Sequence, residues 1–74
     1  MKITIENTDK TVTLNGIPAR IWEGETASGI KVHCFITRIA IDKSETRAGE
    51  FERELRETKT PSAEMAAYPT RLLL

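Results

Sequence analysis

The amino-acid sequence predicts a small α+β domain: an antiparallel β-meander of four to five strands with one amphipathic α-helix packed on it. Three observations carry this. Runs of alternating apolar and polar residues fill the first half of the chain, separated by turn-forming residues. A helical three-and-four spacing appears once, at Ala48, Phe51 and Leu55. The 74 residues leave room for one domain, spanning 1–74. A chain of that length buries only about 60 to 65% of its unfolded surface, so its core must be small.

The strands follow in order. Ile3 and Ile5 alternate with Lys2, Thr4 and Glu6, the period of a strand with one face on a core. Asn7, Thr8, Asp9 and Lys10 read as a turn. Thr11 to Asn15, with Val12 and Leu14 inward, then makes an antiparallel partner for the first strand. Asn15-Gly16 is a type I′ hairpin signal, since both residues tolerate positive φ. Ala19 to Glu25 reads as the next strand, with Pro18 marking an edge or an irregularity because it has no N–H. Gly24 to Gly29 forms a loop, and Ile30 to Ile41 is the longest strand. Its alternation puts Ile30, Val32, Cys34 and Ile36 on one side and His33, Phe35, Thr37, Ile39 and Ile41 on the other.

Asp42 and Glu45 have capping-box spacing ahead of a helix over Ser44 to Lys59. Gly49 weakens its first turns by about 1 kcal/mol relative to alanine, so the regular helix is expected to start near Arg47 or later. Glu52 and Arg56 stand in the favourable i,i+4 order. Pro61 ends the helix, and a second short turn is expected from Ser62 to Tyr68. Thr70 to Leu74 is apolar enough to pair as an edge strand. The three terminal leucines, Leu72 to Leu74, are either docked or free as a peptide ligand.

Composition excludes several functions. Eleven basic residues balance eleven acidic ones, so no whole-molecule field draws in nucleic acid or an anionic membrane. No stretch approaches the roughly 18 apolar residues of a membrane span, and MKITIENTDK lacks the apolar run of a signal peptide. The single cysteine forms no internal disulfide. A reducing host cytoplasm is the expected location.

Catalytic constellations are also absent from the pattern. His33 and Cys34, the only histidine and cysteine, point to opposite faces of a regular strand and cannot share a proton or a metal. Glu50, Glu54 and Glu57 lie on adjacent helical turns without a pocket to enclose them and read as a solvated face. Gly24 and Gly29 lack the Lys-Ser/Thr of a phosphate loop. No enzymatic activity, cofactor or metal is expected.

Apolar residues on both sides of the central strands leave two readings: the segment Pro61 to Tyr68 and the RLLL tail cover the second face and Trp22 is core, or that face is a binding surface. If Ile21 shares the core side with Val32, Cys34 and Ile36, then Trp22 joins Phe35 and Ile39 on the reverse. There Trp22 and Phe35 would be anchors, with Arg20, Lys31, Arg38 and His33 around them. The same chemistry could stack nucleic-acid bases, but Glu23 and Glu25 lie beside these residues in sequence, which makes protein the expected partner and nucleic acid unlikely.

The run MKITIENTDKTVTLNGIPARIWEGETASGIKVHCFITRIA, followed by FEREL and PSAEMAAYPTRLLL, resembles small proteins encoded by phages and prophages of proteobacteria. The resemblance covers most of the chain and carries no functional motif, so no site residue is transferred from it. It implies a non-catalytic accessory protein that occupies the surface of a host or phage protein, such as an anti-CRISPR-like inhibitor of host defence. The alternatives it implies are a structural or assembly component that self-associates, with a homodimer as its smallest form, and a small nucleic-acid-binding regulator.

Overall fold

A computed structural model of the chain describes residues 1–63. Three strands, β1 (Ile3–Leu14), β2 (Ile17–Thr26) and β3 (Lys31–Ile36), precede one helix, α1 (Ala48–Arg56). The sheet is antiparallel in the order β1-β2-β3. The α+β class holds, but among the described residues there are three strands, not four to five.

The difference lies in β1. Asn7 to Lys10 do not turn the chain. Asn7 pairs with Trp22 and Thr11 with Arg20, so Thr8, Asp9 and Lys10 bulge against Ile21 alone. Ten-residue β2 thus serves as partner to both halves of a twelve-residue strand. The polar residues read as a turn are satisfied inside the bulge. The Thr8 hydroxyl donates to the Ile21 carbonyl at 2.6 Å and accepts the Lys10 N–H at 3.3 Å. Thr8 is fully buried.

The turns behave as their residues require. Asn15 and Gly16 have φ of 50° and 81°, as a type I′ hairpin needs. Between β2 and β3 the Thr26 hydroxyl accepts the Ile30 N–H at 3.1 Å, and the Thr26 N–H reaches the Ile30 carbonyl at 3.0 Å.

β3 stops at Ile36 rather than Ile41. Its last partner is Arg20, and two residues further the ladder would set Arg38 opposite Pro18, which has no N–H to offer. Thr37 to Ile41 are exposed. The capping box does not form either. The Asp42 carboxylate accepts the backbone N–H and hydroxyl of Ser44 at 2.8 and 2.6 Å, while Glu45 accepts the N–H of Arg47 at 3.1 Å and pairs with its guanidinium at 2.7 Å. Each acid closes a local turn. The helix therefore starts at Ala48, with Arg47 as an N-cap whose side chain makes no capping hydrogen bond.

After α1 the chain runs round the sheet. Asn7 Nδ2 donates to the Leu55 carbonyl at 2.8 Å. Lys59 then bridges Thr8 in parallel along the outer edge of β1, its N–H on the Asn7 carbonyl (3.2 Å) and its carbonyl on the Asp9 N–H (3.1 Å). The buried apolar core among the described residues is Ala19 and Ile21, both on β2. The expected second short helix is described only at Ser62 and Ala63. The Thr70–Leu74 strand and the Leu72–Leu74 docking lie outside the described residues.

Candidate binding groove

The register decides which side chains meet. Ile21 stands opposite Phe35, Trp22 opposite Cys34 and Glu23 opposite His33. Residues directly opposite share a face, so one face carries Ile21, Glu23, His33, Phe35 and Lys31. The other carries Arg20, Trp22, Val32, Cys34 and Ile36. The separation of His33 from Cys34 is as the alternation requires. The assembly of Trp22 with Phe35 is not: Trp22 lies with Cys34, and Phe35 lies beneath Ile21. Periodicity fixes faces within a strand but not the offset between strands, and the assumed offset was wrong by one residue.

The six candidate contact residues therefore divide. Arg20, Trp22 and Arg38 line one groove of 420 Å³ together with Ile36, Ile39, Leu55, Arg56 and Thr58. Lys31 and His33 line a second concavity of 340 Å³ on the opposite face, beside Glu23, Lys59 and Ser62. Phe35 borders neither.

In the first groove Trp22, Ile36 and Leu55 are half-buried and make an apolar floor. Arg20 is held by a bond from Nη1 to the Thr8 carbonyl at 3.0 Å, so the β1 bulge fixes it in place. Arg38 follows β3, Arg56 ends α1, and both are exposed. The described lining contains three guanidinium groups and no carboxylate. No ion pair joins Glu52 to Arg56, although their spacing favours one, whereas Arg47 pairs with Glu45 and Lys59 with Glu23. Sequence reasoning missed Leu55 and Arg56 as groove residues. Leu55 was visible as part of the helix stripe, but the face of the sheet that the stripe meets was not.

The second concavity holds a closed polar lock. Glu23 is 7% exposed. Its carboxylate receives Lys59 Nζ at 2.6 Å, the Ser62 hydroxyl at 2.9 Å and the Ser62 N–H at 3.2 Å. Burial pushes the Glu23 carboxyl up, but these hydrogen bonds and the Lys59 charge outweigh burial and hold it below its ordinary value. The partner effect on Lys59 is upward, led by the hydrogen bond to Glu23. The lock ties the segment after α1 to the middle of β2 and satisfies its own charges.

Among the described residues no group of three or more His, Cys, Asp or Glu side chains is placed to hold a metal ion. No helix among them is long and apolar enough to cross a membrane. Comparison with protein-family models, curated proteins and solved structures finds no match to this chain.

Proposed function

We propose that the chain is a non-enzymatic accessory protein, of phage or prophage origin, that works by occupying the surface of a host protein, with inhibition of a defence system as the consequence. The observation that carries the binding part is the groove. Three guanidinium groups with no acidic partner among the described residues surround a half-buried tryptophan, and tryptophan and arginine are enriched among the residues that anchor interfaces. The phage context rests on the sequence resemblance alone.

A second reading gains from the register. Glu23 and Glu25 point away from Trp22, so they do not flank it as their position in sequence suggested. Single-stranded nucleic acid thereby becomes the principal rival.

Native mass measurement of the full chain, alone and in host lysate, tests the proposal. A discrete heterocomplex with a protein, lost on Arg38→Glu, is the expected result. A large homo-oligomer, or a complex indifferent to Arg38→Glu, defeats it.

A further inference from the structure

We infer that the partner presents a short acidic segment bearing one apolar side chain, the apolar group seated against Trp22, Ile36 and Leu55 and the carboxylates on Arg38 and Arg56. The inference rests on the groove being the binding site, as proposed above, and specifies what enters it.

Charge complementarity is the first argument. The whole chain is neutral, with eleven charges of each sign, yet the described lining of the groove carries Arg20, Arg38 and Arg56 and no acid. No described carboxylate lies within ion-pair distance of any of the three. Clustered like charges repel, and a carboxylate from outside relieves that repulsion. Guanidinium forks match carboxylates with two parallel hydrogen bonds. Arg20, tied to the bulge, holds its charge beside the floor, while Arg38 and Arg56 approach from two separate elements.

The floor is the second argument. Trp22, Ile36 and Leu55 offer half-buried apolar surface, which a carboxylate alone would leave wet. A volume of 420 Å³ is at the small end of ligand sites, which run from about 300 to 1,000 Å³. It suits one anchoring side chain with its neighbours rather than a long strand. Single-stranded nucleic acid is favoured by successive aromatic platforms along a continuous basic track. Among the described residues one aromatic side chain lines the groove.

Selection of random peptides displayed on phage against the full-length chain tests this. Binding of each selected peptide is then followed through the emission of Trp22, the only tryptophan. The expected winners place Asp or Glu on either side of Phe or Leu and lose roughly tenfold in affinity between low salt and about 0.5 M. Arg38→Glu with Arg56→Glu should cost a similar factor or more while the thermal melt is unchanged; Arg38→Ala serves as the milder variant. Winners without acidic residues that still move Trp22 emission overturn the acidic partner and leave the groove standing. Peptides that bind without responding to Trp22 or to either arginine remove the groove as well. Failure to enrich any peptide, or tighter binding of oligothymidylate than of any peptide, also overturns the inference.

Discussion

At the scale of single residues, Gly24 shows how closely β1 lies on β2. A Cβ placed there would sit 1.8 Å from the Thr4 carbonyl oxygen and 2.7 Å from Ile5 Cα. Both atoms are backbone, so no rotamer can relieve the overlap. Gly24→Ala should cost at least about 3 kcal/mol, the upper end of overpacking effects, because strand pairing must separate. Gly16→Ala meets no atom and suffers only its positive φ of 81°, a cost of about 1 kcal/mol. Urea midpoints of the two variants check this ranking, and a reversed order would refute the close approach.

Glu23 sets a pH dependence by the same local reasoning. Its carboxyl is held below the ordinary 4.5 by Lys59 and Ser62 against the opposing effect of burial. A depressed carboxyl stabilises the fold fully above that ordinary value and loses its contribution as pH falls through the lower, folded value. Glu23→Gln should therefore lower stability near neutral pH by about 1 to 3 kcal/mol, as loss of a buried charged acceptor does. It should also flatten the decline on acidification. Wild type and variant denaturation curves at about pH 7 and about pH 3 give the comparison, and equal declines would exclude the lock as the cause.

At the scale of elements, the hairpin was legible because Asn15-Gly16 is a local instruction with one good backbone solution. The helix core was legible because Ala48, Phe51 and Leu55 repeat at one period. β1 was not. Ile3 and Ile5 occupy odd positions and Val12 and Leu14 even ones, a change of parity that a turn explains as well as a bulge. In the fold the two apolar pairs face opposite sides of the same strand. Choosing between the readings needs Thr8, whose hydroxyl bond to Ile21 exists only once the sheet has formed. The groove was half legible: Trp22, Arg20 and Arg38 were found, whereas Phe35 was assigned to them through the wrong strand offset. Cys34 tests the offset directly. Because it stands opposite Trp22, a nitroxide attached to its thiol should quench the tryptophan strongly. A label on Cys34 that leaves Trp22 emission unchanged would contradict the register.

At the scale of the whole molecule, a single side chain carries an unusual share of the core. Ile21 is the one large apolar residue fully buried among those described, with Ala19 as its only fellow in the apolar core. Truncating a buried isoleucine to alanine costs about 2 to 5 kcal/mol, and a domain this small holds roughly 3 to 5 kcal/mol of net stability. Ile21→Ala should therefore leave the chain largely unfolded at room temperature. Ile17→Ala and Ile30→Ala, at residues 55% and 64% exposed, should shift it by about 0.5 kcal/mol or less. Far-ultraviolet circular dichroism of the three variants distinguishes them, and a folded Ile21→Ala would mean that the core extends beyond the described residues. The same narrow margin makes binding visible. A ligand at one hundred times its dissociation constant adds about 2.7 kcal/mol, comparable with the entire stability of the free chain. A groove-binding partner should therefore raise the melting temperature steeply, and with Arg38→Glu and Arg56→Glu together at the same ligand concentration about half of that rise or more should disappear.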